Sequence, residues 1–101
     1  MNWTAVCQLD EIPQGAARTV RAGDTVIALF RLSDDRVKAV ENRCPHKQGP
    51  LAEGIISGDD ILCPLHNLRI HLDTGQAVPP EEGCVQTYPV KIENDQVFLS
   101  L

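Results

Sequence analysis

The chain has 101 residues, 43% hydrophobic and 23% charged, the balance of an ordinary globular protein with a small core. Its net charge is −5 and its Lys and Arg residues are scattered singly, which excludes the basic stripe that nucleic-acid binding needs. No apolar run approaches the roughly 18 residues of a membrane-spanning helix, and Met1 to Asp10 lacks the basic and apolar regions of a signal peptide, so a cytoplasmic protein with no membrane partner is expected.

No repeat, low-complexity tract or linker interrupts residues 1–101, which read as one domain. Short apolar segments separated by turn residues every 8–12 positions predict an all-β antiparallel sandwich or barrel. Trp3 to Cys7 is the first expected strand, and Asp10 to Gly15, broken by Pro13, is a loop. Arg18 to Arg21 is a short strand. Thr25 to Leu32 is the clearest one, with Val26, Ala28, Phe30 and Leu32 on one face and Ile27 and Leu29 on the other. Two apolar faces predict a central strand. Ser33-Asp34-Asp35 turns the chain and Val37 to Val40 returns it as a hairpin.

From Asn42 to Leu62 the chain is rich in Gly, Pro and charge, which argues against a long helix. Gly54 and Gly58 are expected at turns, either with φ > 0 or as ordinary turn glycines. Ile61 to Cys63 and Leu68 to Leu72 are short strands. Asp73 to Gln76 is a turn and Val78 to Gly83 a stiff loop. Thr87 to Glu93 and Gln96 to Leu101 form a hairpin across Asn94-Asp95, a pair that tolerates φ > 0.

Two stretches carry the chemistry: Cys44-Pro45-His46 and Cys63-Pro64-Leu65-His66, in the pattern C-x-H-x16-C-x2-H. Each supplies one soft thiolate and one imidazole from a short segment, so each can grip metal at little loop-closure cost. Pro45 and Pro64 fix φ directly after each cysteine and stiffen the loops. The S2N2 donor set admits zinc or an iron–sulfur centre. Zinc fingers group their two cysteines and their two histidines, whereas here each stretch has one of each. Cys7 and Cys84 stand apart and are expected to be reduced, neutral thiols, buried or typical of their fold, rather than redox-active. His71, between Ile70 and Leu72, is expected to face solvent from a strand, and Glu81-Glu82 to lie on a solvated loop. No nucleophile–base pair or phosphate-binding glycine loop is present, so the chain alone is not expected to be a catalyst.

The division of ligands resembles the signature of Rieske domains, in which two His replace two Cys on one iron of a [2Fe–2S] cluster. The resemblance implies that Cys44 and Cys63 bind one iron and His46 and His66 the other, within a small cluster-binding subdomain of two loops at about 42–67. Gly49 and Leu51, Asp73-Thr74-Gly75, and Val78-Pro79-Pro80, where the family has a proline loop over the cluster, extend the resemblance to nearly the whole chain. Respiratory members add a loop-bridging disulfide. Gln48-Gly49-Pro50 and Leu65 stand at those positions here. High-potential members also place hydroxyls after the second His, whereas this chain has Asn67-Leu68-Arg69-Ile70. A potential near the low end of the family range of about −150 to +300 mV is therefore expected.

Two low-potential soluble groups remain. The segments Cys44 to Gly54 and Gly83-Cys84-Val85-Gln86-Thr87-Tyr88-Pro89-Val90, with Trp3, Val6, Cys7, Leu9 and Ile12 at the start, resemble the small subunit of NAD(P)H-dependent assimilatory nitrite reductase. That resemblance implies an oxidoreductase subunit, partnered by a large siroheme and flavin subunit that reduces nitrite to ammonia. The alternative is a Rieske ferredoxin that serves an aromatic-ring dioxygenase, with the oxygenase and its reductase as partners. In either case a docking face is expected around His46 and His66, including Lys47, Asn67, Pro79 and Pro80.

Overall fold

The computed structural model describes residues 3–44, 49–64, 68–79 and 82–100. Its described residues form ten strands: β1 (Trp3–Gln8), β2 (Ala17–Ala22), β3 (Thr25–Arg31), β4 (Val37–Glu41), β5 (Ile55–Ser57), β6 (Asp60–Leu62), β7 (Arg69–His71), β8 (Thr87–Tyr88), β9 (Val90–Glu93) and β10 (Gln96–Ser100). Single 3-10 turns occupy Leu9–Glu11 and Leu51–Glu53. All paired strands are antiparallel, in three sheets ordered β1-β10-β9, β2-β3-β4-β8 and β5-β6-β7.

Strand β3 organises the packing. It pairs with β2 along its whole length and with β4 on its other edge, so its backbone groups are satisfied on both sides. Its side chains then divide between two cores, as period-2 alternation demands. Ala28 and Phe30 face a core with Val40, Leu51, Ile61 and Ile70, which is shared with the third sheet. Ile27 and Leu29 face a second core with Val37, Ala39, Val97 and Leu99, shared with the first sheet. All four β3 side chains are fully buried, each worth about 1.5–3 kcal/mol in the case of the large ones. The central strand expected from the two apolar faces is therefore present.

The hairpin across Asn94-Asp95 is also present, with φ of 52° and 62° at these residues. Its first strand is not continuous, however. Thr87–Tyr88 pairs with β4 in the second sheet, whereas Val90–Glu93 pairs with β10 in the first. Pro89 sits at the switch, where its missing N–H breaks the ladder. Its carbonyl still accepts from the Ser100 N–H at 3.1 Å. In β1 the register slips between Ala5 and Cys7. This bulge turns Cys7 inward to the second core.

The stretch from 42 to 62 contains one strand more than the sequence reading expected. Ile55–Ser57 pairs with Asp60–Leu62 across a two-residue turn, Gly58-Asp59, and Gly58 has φ of +62°. Gly54 has an ordinary φ of −80°. A Cβ at Gly54 would collide with the Leu62 carbonyl oxygen, so the glycine serves close approach rather than a left-handed turn.

Candidate metal centre

Cys44 and Cys63 are buried, at 2% and 0% exposure, in one and the same core. Cys44 follows the end of β4 and Cys63 the end of β6. Both bases are closed in the same way. The Cys44 N–H donates to the Gly49 carbonyl and the Cys63 N–H to the Leu68 carbonyl, each at 2.8 Å and each five residues on. Both cysteines thus stand at the first position of a pinched loop, and His46 and His66 fall between the pinching residues in sequence. The two histidines, with Pro45, Lys47, Gln48, Leu65, Asn67, Pro80 and Glu81, lie outside the described residues.

The surroundings fix these loop bases. Leu51, fully buried, anchors the exit of the first loop in the core that holds both cysteines. The pairing Leu62↔Arg69 spans the second loop. Gly54 against the Leu62 carbonyl sets the first loop's exit beside the second loop's approach. Val78 donates to the Arg69 carbonyl at 2.9 Å and Ala77 to Gly83 at 3.0 Å, so the proline-bearing segment is tied to β7 directly beyond the second loop. Pro64 and Pro79 are exposed. A pair of soft donors in one apolar core, each followed within three residues of sequence by a histidine, fits an iron–sulfur group with mixed thiolate and histidine ligation.

The remaining residues divide clearly. Cys7 is buried, and burial pushes its thiol pKa up, with Arg18 pulling it down and Glu11 pushing it further up. Cys84 is exposed, on a bridge to Gln76, so of the two only Cys7 is a buried thiol. Neither forms a disulfide. His71 is exposed as expected, but it has a partner that sequence reasoning missed: its Nδ1 lies 2.7 Å from Asp60, which also receives Arg69 at 2.9 Å. The cross-strand register Asp60↔His71 makes that contact, and periodicity alone does not give register. Glu82 is exposed. No helix among the described residues is long and apolar enough to cross a membrane.

Comparison with known proteins gives a single family. The profile of the Rieske-like [2Fe-2S] domain matches residues 2–100. A ferredoxin component of naphthalene 1,2-dioxygenase/salicylate 5-hydroxylase systems from Ralstonia is 37% identical, covering 99% of this chain and 96% of that protein. The large subunit of the NAD(P)H nitrite reductase of Klebsiella oxytoca is 36% identical over 96% of this chain, which spans only 11% of that protein. A solved structure described as an NADPH nitrite reductase small subunit superposes with a TM-score of 0.89 at 27% identity and covers all of both chains. The paired loops, the buried cysteines and these matches agree: the chain belongs to the Rieske-like [2Fe-2S] domain family, an electron-transfer domain that carries a Rieske-type [2Fe–2S] cluster.

Proposed function

We propose that Cys44 and Cys63 hold one iron of the cluster and His46 and His66 the other, and that the chain is the small subunit of an NAD(P)H-dependent nitrite reductase. The carrying observation for the ligands is the matched construction of the loops, with both cysteines buried in one core and each closed onto the carbonyl five residues on. When bound, the group supplies one-electron redox chemistry at a potential set by ligands, hydrogen bonds and solvent access. The chain's own work is to seat the two thiol-bearing residues in one apolar core, to carry the imidazoles two and three residues further on, and to keep bulk water from the sulfur side. Phe30, Leu51 and Ile70, all fully buried in that core, do the last of these.

The nitrite reductase reading rests on two segments that flank the ligands, Cys44 to Gly54 and Glu82 to Val90. It is supported by the Klebsiella relative, in which a domain like this one lies within a nitrite reductase large subunit, and by the full-length superposition at a TM-score of 0.89. In this reading the partner is a large subunit with siroheme and flavin, the role is electron relay or support of that subunit, and the compartment is the cytoplasm. One domain spans residues 1–101. The 37% identity to a dioxygenase ferredoxin component supports a second reading, in which the partners are an oxygenase and its reductase.

One experiment separates the two. The tagged chain is expressed in its native host under nitrate-dependent growth and its co-purifying proteins are identified. A siroheme- and flavin-containing subunit is expected in stoichiometric amount. Recovery of oxygenase subunits, with no siroheme protein bound, would contradict the nitrite reductase reading.

A further inference from the structure

The two loops close alike at their cysteines but differ at their mouths. The second hangs between paired strands, with Leu62 opposite Arg69, so a ladder holds both of its ends. The first leaves β4 and enters the 3-10 turn at Leu51–Glu53, and among the described residues no strand pairing spans that mouth. One side chain stands where the ladder is missing. Asn42 accepts a hydrogen bond at its Oδ1 from the Ala52 N–H at 2.8 Å, in a part-buried setting. Its own N–H donates to the Val26 carbonyl, also at 2.8 Å. A continuous chain of bonds therefore runs from β3 through Asn42 to the exit of the first loop.

The position of that bond is informative. Ala52 follows Leu51, the residue that seats the loop in the core, and Asn42 precedes Cys44 by two residues. The bond thus ties the chain just before the first cysteine to the chain just after the loop. The Ala52 N–H lies at the start of a 3-10 turn, where backbone donors lack partners within the turn. A side-chain acceptor there does what an N-cap does, but from across the loop mouth.

We propose that Asn42 is the positioning residue of the first loop: its amide oxygen replaces the missing strand ladder and holds the chain on either side of the loop, Cys44 included, against the core it shares with Cys63. This rests on the assignment of Cys44, His46, Cys63 and His66 as ligands. The cluster-loaded chain is compared with N42A, N42L and N42D, following the decay of visible absorption under an iron chelator. N42A and N42L remove the acceptor and are expected to lose the cluster about tenfold faster, the factor that one part-buried hydrogen bond carries. N42D keeps an acceptor oxygen and is expected to decay at the wild-type rate. Amide exchange of the metal-free chain gives a second readout, in which N42A is expected to raise exchange at Ala52 about tenfold with β3 unchanged.

Wild-type cluster retention in N42A, or an N42D as labile as N42A, would overturn the proposal. So would loss of protection throughout β3 in N42A, which would make Asn42 a general fold residue. If the wild-type chain binds no cluster, the ligand assignment fails. The exchange at Ala52 then still decides whether Asn42 closes the loop, and unchanged exchange in N42A would count against it.

Discussion

Leu51 and Gly54 sit three residues apart and do opposite things for the first loop. Leu51 fills the core beside Cys44 and Cys63, and its side chain is fully buried. Leu51→Ala is expected to cost about 2–5 kcal/mol, as large-to-small core changes do, and to lower cluster occupancy with it. Urea unfolding with iron analysis of the purified variant checks both. Gly54 leaves room for the Leu62 carbonyl. Gly54→Ala is expected to cost about 1–3 kcal/mol by overpacking, even though its φ is one that alanine adopts freely. A stable, fully loaded G54A protein in the same assays would show that the loops are not held by this approach. Cys7 and Cys84 give a simpler test. Alkylation of the native protein near neutral pH is expected to label Cys84, which is exposed, well before Cys7, whose thiol is buried and raised in pKa. Mass spectrometry of the labelled protein reads the order, and equal rates would contradict it.

Ion pairs join the second and third sheets. Arg36, beyond the β3–β4 turn, meets Asp59 in the β5–β6 turn, and Lys38 of β4 meets Asp73 after β7, each at 2.5 Å. The Arg36 pair is exposed and screened by solvent, whereas Lys38 is partly covered, and a pair such as Lys38–Asp73 is worth about 0.2–1 kcal/mol. The hydrogen bond and charge of Lys38 hold the Asp73 carboxyl below its ordinary pKa. The pair's stabilisation is therefore present above the unfolded carboxylate's pKa of about 4 and is lost as pH falls through the lower folded value. Lys38→Met is expected to be less stable than wild type at pH 7 by up to about 1 kcal/mol. The gap should close in acid below that range and in molar salt. Denaturant midpoints at the two pH values measure it, and a gap that widens in acid would reverse the assignment.

What the sequence disclosed at this scale followed from physics that is local. The alternation of Val26 to Leu32 marked a strand buried on both faces, and Asn94-Asp95 marked a hairpin turn with positive φ, because neither signal depends on distant contacts. The hairpin at Gly58-Asp59 was missed, although Ile55-Ile56-Ser57 and Asp60-Ile61-Leu62 flank a glycine-led two-residue turn. The density of Gly and charge around it masked a three-residue strand. The split at Pro89 and the role of Gly54 were not legible in this way. Which sheet a strand joins, and which carbonyl lies against a glycine, are set by tertiary packing. The same holds for the Asp60–His71 pair and for Asn42 bonded to Ala52, ten residues on.

For the whole molecule, one core serves the metal loops and another serves the far sheet, with β3 contributing a face to each. The cysteine pair is thereby attached to the most buried strand of the fold rather than to a peripheral loop. The sequence has Asn67-Leu68-Arg69-Ile70, without a hydroxyl, where high-potential Rieske domains carry hydroxyls that bond sulfur. The midpoint potential is accordingly expected near the low end of the Rieske range, around −150 mV, and potentiometric titration giving a value well above 0 mV would contradict that.

The central claim is that the two matched loops hold a [2Fe–2S] cluster through two cysteines and two histidines. Metal and acid-labile sulfide analysis of the purified chain, joined to EPR after one-electron reduction, tests it most directly. Two irons and two sulfides per chain are predicted, with a low-temperature EPR signal that appears on reduction and is lost in C44S and in C63S. Stoichiometric zinc with no visible absorption and no EPR signal, or a full signal in either serine variant, would contradict it.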